Sequence, residues 1–254
     1  MDFSEKIVLV TGSSRGIGRA IAQAFAERGA RVVVHYVHNA AMAQETVAGL
    51  PGASHMTVQA DIQDAAAVQT MITTIVREMG RLDILVNNAG IYQDHPLAEV
   101  SYEQWQESWQ LVLGTNLTGA ANVTFCAAQA MIKQGGGRIV NISSRGAFRG
   151  EPTGPAYGAS KAGLNAMSQS LAKYLIPYNV FVGVVAPGFV QTDMARSKLA
   201  GPEGDQIRSQ SPFGRVARPQ EVAYATLFLA SEGSQFMTCL LYTSPIPRDE
   251  LADL

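Results

Sequence analysis

Short apolar runs rich in β-branched residues alternate along this chain with longer stretches of helical periodicity. The runs Lys6–Thr11, Arg31–Tyr36, Ser54–Ala60, Leu82–Asn87, Gly137–Ser143 and Asn179–Ala186 predict strands. The most apolar of them lack in-and-out alternation, as strands buried on both faces of a parallel sheet do. Helices are predicted over Ile17–Arg28, Ala40–Leu50, Asp64–Met79, Ser101–Gln134, Ala156–Tyr178 and Pro219–Ala230. Repeated β-α units of this kind specify an α/β fold, a single-domain doubly wound parallel sheet of the Rossmann type with helices on both faces. Such sheets bind ligands beyond the carboxyl ends of their strands, so the loops that follow the strands are where chemistry is expected.

The chain of 254 residues suits one domain with a sizeable core, and no linker-like stretch divides it. Its formal net charge is −2 and its pI about 6.1, so nothing draws it to nucleic acid or an anionic membrane. The start, from Met1 to Lys6, enters the first strand without the charged and apolar regions of a signal peptide. No apolar run is read as approaching the length of a membrane span. Two cysteines, Cys126 in an apolar helical pattern and Cys239, argue against a disulfide framework and fit a reducing cytoplasm. His35, His38, His55 and His95 are scattered without ligand spacing, so no metal site is expected.

The first chemical motif follows the first strand. Thr11, Gly12, Ser13, Ser14, Arg15, Gly16, Ile17 and Gly18 lead directly into a helix. Glycines let the backbone turn tightly and approach a pyrophosphate, whose charge is favoured by free amides at a helix N-terminus. The second motif is Tyr157 with Lys161, one turn apart on one helical face. An ammonium close to the phenol would stabilise its ionised form and make the tyrosine an acid or base near neutrality. That spacing alone also fits a surface aromatic beside a snorkelling lysine. The residues by themselves point to a dinucleotide-binding α/β domain with a Tyr/Lys site.

Further segments accompany these motifs in order: Ser144 upstream of the tyrosine, Asn87 to Gly90 after the fourth strand, Asn116 between Thr115 and Leu117, and Pro187, Gly188 and Thr192 after the sixth. Together they resemble the short-chain dehydrogenase/reductase family over about residues 4 to 238. The resemblance implies hydride transfer between a nicotinamide and a carbonyl or alcohol. Ser144 and Tyr157 would donate hydrogen bonds to the carbonyl oxygen, and Tyr157 would supply the proton. Lys161 would hold the ribose hydroxyls and lower the tyrosine pKa, with Asn116 supporting a water relay to it. By family spacing Ser144 is the catalytic serine and Ser143 the last residue of its strand. The implied cofactor contacts are Gly12, Ser14, Arg15, Gly16, Ile17, Gly18, Tyr36, His38, Asp61, Ile62, Asn88, Ala89, Gly90, Tyr157, Lys161, Pro187, Gly188 and Thr192. Among them Asp61 would meet the adenine edge, with helix capping as its compatible alternative, Asn88 to Gly90 would line the adenosine side, and Thr192 would reach the carboxamide.

Cofactor preference is read from the end of the second strand. No acid occurs between Glu27 and Glu45, so the 2′-phosphate of NADP would meet no repulsion there, and NADP is favoured over NAD. Arg15 stands where family members that prefer NADP often carry a basic residue, and a guanidinium suits phosphate geometry. His38 or Asn39 would assist.

Residues 189–217 form a poorly periodic stretch expected to act as a substrate lid. Similar family members are 3-oxoacyl-thioester reductases that dock an acyl carrier protein through basic residues. The matching positions are Gln129 and Lys173, of which only one is basic, and this departure weakens the carrier-protein reading. Arg145 and Arg149 flank the catalytic loop and would attract an anionic substrate or simply be solvated. Trp105 and Trp109 share a helical face and read as packing or a subunit interface. Family members pair the helices after Ser101 and around Tyr157, so a homotetramer or homodimer is expected.

The final segment departs from the family pattern. Residues 1–238 read as the Rossmann domain, whereas 239–254, from Cys239 through Pro245 and Pro247 to an acidic end, read as an atypical and non-native tail that replaces the last strand. Leu240 to Thr243 would mimic an edge strand before the prolines end it. The alternatives are an NAD-dependent alcohol or sugar dehydrogenase, with the same catalytic residues, and an inactive dinucleotide-binding protein damaged at its end.

Overall fold

Alternate residues of the central strands turn to opposite faces of a parallel sheet, and each face is sealed by its own helices. The computed structural model describes residues 1–202, 204–238 and 241–243. The strands are β1 (Ile7–Val10), β2 (Arg31–Tyr36), β3 (Met56–Gln59), β4 (Ile84–Asn87), β5 (Gly137–Ile142), β6 (Val180–Ala186) and β7 (Leu241–Thr243). They form one sheet in the order β3-β2-β1-β4-β5-β6-β7, all neighbours parallel. The order reverses between β1 and β4, which opens a crevice at the carboxyl edge where the loops after these strands part.

On one face Val8, Val10, Val32 and Val34 pack against α1 (Gly16–Ala26), α2 (Ala40–Ala48) and α10 (Pro219–Ala230), with Ile21, Phe25 and Leu227 buried between. On the other, Ile7, Leu9, Val33 and Leu85 meet α3 (Ala65–Met79), α5 (Ala120–Gln134) and α7 (Pro155–Leu175) through Met71, Ile75, Val123 and Met131. Every predicted strand and helix occurs, with ends shifted by up to three residues.

The helix predicted as one piece over Ser101–Gln134 is divided. It comprises α4 (Tyr102–Leu113), a wide π-turn over Gly114–Gly119, and α5. A Cβ at Gly114 would lie 2.4 Å from the Gln63 side chain and one at Gly119 would lie 2.7 Å from Ile62, so these glycines admit the segment after β3. π-Turns of this kind occur at functional sites, and this one carries Asn116. By length and composition the run Tyr102–Gln134 is apolar enough to cross a membrane, with a window of mean hydropathy 1.2, against the expectation from the sequence. Its apolar face is core, filled by Val112, Val123, Ala127 and Met131.

Three short α-helices among the described residues were not predicted: α6 (Gly146–Arg149), α8 (Asp193–Ala200) and α9 (Gly204–Ser209). The last two lie in the segment read as irregular. The ends of that segment are pinned together, because the Gln191 N–H donates to the Ala217 carbonyl (2.8 Å) and the Ala217 N–H to that of Phe189 (2.9 Å).

The edge strand that Leu240 to Thr243 were expected to mimic is present as β7, paired from Val184↔Leu241 to Ala186↔Thr243. Just before it the Thr238 hydroxyl contacts both the N–H and the carbonyl of Val182, each at 3.2 Å, and so continues the edge with a side chain. Cys239, Leu240 and the rest of the tail, 244–254, lie outside the described residues. Leu85 is fully buried at the centre of the sheet, and Leu85→Ala is expected to destabilise the protein by about 2–5 kcal/mol in urea unfolding.

Candidate active site

The glycine loop is held by its neighbours rather than by itself. Gly12 adopts φ +63°, and a Cβ there would lie 3.0 Å from Ala89 Cα, so both conformation and space require glycine. Its N–H donates to His35 Nδ1 (2.9 Å), the Ser13 N–H donates to the His35 carbonyl (3.0 Å), and the His35 N–H donates to Ser13 Oγ (3.1 Å). With Nδ1 accepting, Nε2 carries the proton and donates to the Ala60 carbonyl at 3.0 Å. Burial pushes the His35 pKa down to about 4, so the ring is a neutral strut at ordinary pH.

From the other side Thr11 Oγ1 accepts the N–H groups of Asn88 and Ala89, both at 3.0 Å. The Asn88 carboxamide donates to the carbonyls of Thr11 (2.9 Å) and Gly12 (3.1 Å). Arg19 and Thr46 hold the Ser14 carbonyl at 2.9 and 3.0 Å. No side chain caps the start of α1 at Arg15, which leaves the first-turn amides open to an anion, and a Cβ at Gly18 would lie 2.5 Å from the Gly12 carbonyl. This cradle fits a dinucleotide pyrophosphate.

The catalytic set gathers where β5 ends and α7 begins. Ser144 Oγ accepts the Gly146 N–H at 3.1 Å and borders the same cleft as the Tyr157 phenol. Ser143 is buried against α7 and its N–H donates to the Val185 carbonyl at 2.8 Å, while both it and Ser144 border the cleft. Strand β5 stops at Ile142, one residue short of the expected end. Lys161 is 4 % exposed, and its ammonium donates to the Ile142 carbonyl at 2.9 Å.

That contact overturns the expected electrostatics. The Lys161 ammonium lies 5.8 Å from the Tyr157 ring centroid. Burial pushes the phenol up to about 12, against the Ser144 hydrogen bond and with the Glu151 charge and Tyr92 adding to the rise. Burial likewise pulls Lys161 down to about 8. The phenol is therefore held in its protonated, donating form.

Asn116 is fully buried in the π-turn. Its Oδ1 accepts the Ile91 N–H (2.8 Å) and its Nδ2 donates to the Ile91 carbonyl (2.9 Å) and to Ser160 Oγ (3.2 Å). Oδ1 and Lys161 Nζ converge on Gly90, at 3.3 and 3.4 Å from where a Cβ would stand.

Ile17, Asn88, Gly90, Ser144, Tyr157, Lys161, Pro187, Gly188 and Thr192 line one cleft of about 180 Å3. Thr192 rests against Gly16. Arg15, Tyr36, His38 and Asp61 lie outside that cleft, beyond the carboxyl ends of β1 to β3, where Arg15, His38 and Asp61 are exposed. Arg15 has no side-chain partner among the described residues. Ile62 is 2 % exposed and packs on Gly119, so only its backbone could face a nucleotide. Asp61 does not cap the next helix: Asp64 does, accepting the Ala66 and Ala67 N–H groups, while Asp61 holds the Gln63 N–H. Asn39 caps α2 through the Met42 N–H, so its side chain is already engaged. Trp105 and Trp109 pack as expected, their rings 5.8 Å apart and His95 against the first.

Three contributors were missed in the sequence. His35 was visible as a polar residue inside an apolar strand. Tyr92, whose ring meets that of Tyr157 edge-on at 5.1 Å, and Glu151, which lines the cleft, left no local signal.

A dinucleotide cradle beside a hydroxyl pair and a buried lysine defines an oxidoreductase that moves hydride between a nicotinamide cofactor and a carbonyl or alcohol. The chain belongs to the short-chain dehydrogenase/reductase family, and the family model described as "Enoyl-(Acyl carrier protein) reductase" matches residues 12–241. It is 39% identical over 239 residues to the 3-oxoacyl-[acyl-carrier-protein] reductase FabG of Escherichia coli, covering 94% of this chain and 95% of that protein. Identity to the FabG of Aquifex aeolicus is 40% over 235 residues, covering 92% and 93%. The crystal structure of gox2181 superposes with a TM-score of 0.89 at 32% identity, covering 96% of this chain and 95% of that one.

His35 makes the cradle sensitive to acid. Above pH 6.5 folded and unfolded chains both hold the ring neutral; between 6.5 and about 4 only the unfolded chain takes up the proton, so stability falls with pH across that window. The loss is ~3 kcal/mol. Urea unfolding from pH 7 to 4 is expected to show that much more loss in the natural protein than in His35→Asn.

Proposed function

We propose that the protein reduces a carbonyl compound to its alcohol with NADPH and runs the reverse oxidation with the same groups. The observation that carries this reading is the meeting of Ser144 and Tyr157 in one cleft with Ile17 of the glycine loop and Lys161. Both hydroxyls can turn to one substrate oxygen and stabilise the negative charge that develops on it. The nicotinamide, when bound, supplies the hydride. Tyr157, protonated at neutral pH, gives its proton to the nascent alkoxide. Lys161 would hold the ribose hydroxyls, and Asn116, through Ile91 and Ser160, keeps the loop beside it in place.

NADPH is favoured by an exposed Arg15 and by the lack of an acid at the end of β2. Asn88, Ala89 and Gly90 would border the adenosine side, Asp61 the adenine, and Thr192 the carboxamide. Residues 189–217 would close over the substrate, hinged where Phe189 and Gln191 meet Ala217. The 3-oxoacyl thioesters named for the relatives are included in the substrate class. Gln129 and Lys173 are both exposed at the positions aligned with carrier-protein docking, and one charge there supports at most a weak dock. A cytoplasmic homo-oligomer completes the reading.

Tyr157→Phe is expected to lower turnover by about 100-fold to 10,000-fold while fluorescence titration shows NADPH binding unchanged; undiminished turnover would refute the assignment. Arg15→Ala should weaken NADPH about tenfold or more with little effect on NADH, since a charge-assisted hydrogen bond contributes about 1.5–3 kcal/mol.

A further inference from the structure

Helix α7 starts without a capping side chain of its own. Pro155, its first residue, has no N–H to satisfy, and Gly154 before it carries no side chain that could accept from the next turn. Glycine is imposed there by the loop after β4, since a Cβ on Gly154 would lie 2.8 Å from the Tyr92 hydroxyl. The Tyr157 N–H donates to the Gly154 carbonyl at 2.9 Å, which leaves the amide of the fully buried Ala156 to be satisfied from elsewhere in the chain. It donates to Nε2 of His95 at 3.3 Å, an imidazole 61 residues earlier in the sequence.

His95 is itself fully buried and held by its surroundings. With Nε2 accepting, Nδ1 carries the proton and donates to the Gln93 carbonyl at 2.9 Å. Its N–H donates to the Thr153 carbonyl at 2.6 Å, and its ring meets that of Trp105 on α4 edge-on at 5.3 Å. Beside it the Asp94 carboxylate accepts the hydroxyls of Thr153 and Tyr92, at 2.5 and 3.1 Å. The loop from Tyr92 to His95 therefore grips the chain between Thr153 and Ala156, and the Tyr92 ring stands edge-on to that of Tyr157 at 5.1 Å. Tyr157 follows Ala156 directly, so a shift at that amide is a shift of the proton donor.

We propose that His95 is a positioning residue for the reaction: by accepting the Ala156 N–H it fixes where α7 begins and so where the Tyr157 phenol stands in the cleft. This rests on the carbonyl-reductase reading above. A buried amide left without an acceptor is costly, so loss of His95 Nε2 loosens or displaces the first turn of the helix. Small misplacements of a reacting group lower turnover steeply.

An acetoacetyl thioester, 2-butanone and butanal are assayed with NADPH and the full-length protein. On the carbonyl used fastest, His95→Leu, which keeps the bulk and loses the acceptor, is expected to lower kcat about tenfold to 100-fold while fluorescence titration shows NADPH binding unchanged. Hydrogen exchange of the Ala156 amide should become about tenfold faster in the same variant, as one buried acceptor is lost. His95→Gln, whose amide oxygen can stand in for Nε2, should recover most of both losses. In a Tyr157→Phe background His95→Leu should change the remaining turnover by less than about twofold, because a residue that acts through Tyr157 has nothing left to act on, whereas general damage to the fold costs the same in both backgrounds. If His95→Leu does not fold, His95→Gln decides: recovered turnover with a protected Ala156 amide supports the inference, and a folded, NADPH-binding protein that has lost turnover overturns it. A natural protein that reduces one of these carbonyls while His95→Leu keeps its kcat, or loses it equally with and without the Tyr157 hydroxyl, overturns this inference alone. NADPH oxidation with none of the three carbonyls overturns the carbonyl-reductase reading and this inference with it.

Discussion

Taking the Lys161 ammonium out of water is the constraint on which the catalytic geometry depends. A buried cation is tolerated where polar groups replace its hydration, and here the Ile142 carbonyl at the end of β5 does so at 2.9 Å. That bond ties α7 to the sheet at the point where the chain turns toward Ser144. Tyr157, one helical turn earlier, is thereby brought into the cleft beside Ser144. The dryness that makes Lys161 need a partner also keeps the phenol protonated, so one desolvated corner sets both the position and the protonation state of the donor.

The cofactor side is organised by a different economy. The glycine loop contributes few side chains, and its shape is borrowed from the ends of adjacent strands: His35 on β2, Thr11 after β1, Asn88 after β4. None of these bonds takes up the first-turn amides of α1. A loop held this way is already in its binding conformation, which reduces the ordering that a ligand must impose. A similar logic holds behind the site, where Asn87 donates to Thr124 and Asn141, and Asn141 to Ser168, all buried, so that β4, β5, α5 and α7 are joined by polar contacts as well as by packing.

The substrate side is less regular. Its walls come from the loop after β4, the segment around Glu151 and the excursion from Phe189 to Ala217, none of which the sheet geometry dictates. Variation in such walls around a fixed scaffold is how one fold hosts different substrates.

The sequence by itself determined the sheet and its helices, because buried parallel strands and amphipathic helices carry strong periodic signals, and it singled out Tyr157, Lys161 and the glycine loop as candidates by the chemistry in their spacing, with Ser144 added by the family resemblance. Short helices such as α8 and α9 carry too few residues for a period to emerge. The π-turn at Asn116 depended on Ile62 and Gln63 arriving from elsewhere in the chain. Asp64 rather than Asp61 became the cap because the helix starts one residue after Asp64, a boundary that residue type alone left open. Only the tertiary structure decided the sign of the Tyr157 shift, since spacing brings a lysine near a tyrosine but cannot say whether its ammonium turns to the phenol or to a carbonyl. It also decided that His35 is a strut and that Glu151 faces the cleft, because burial and orientation are set by strands and loops that meet only on folding.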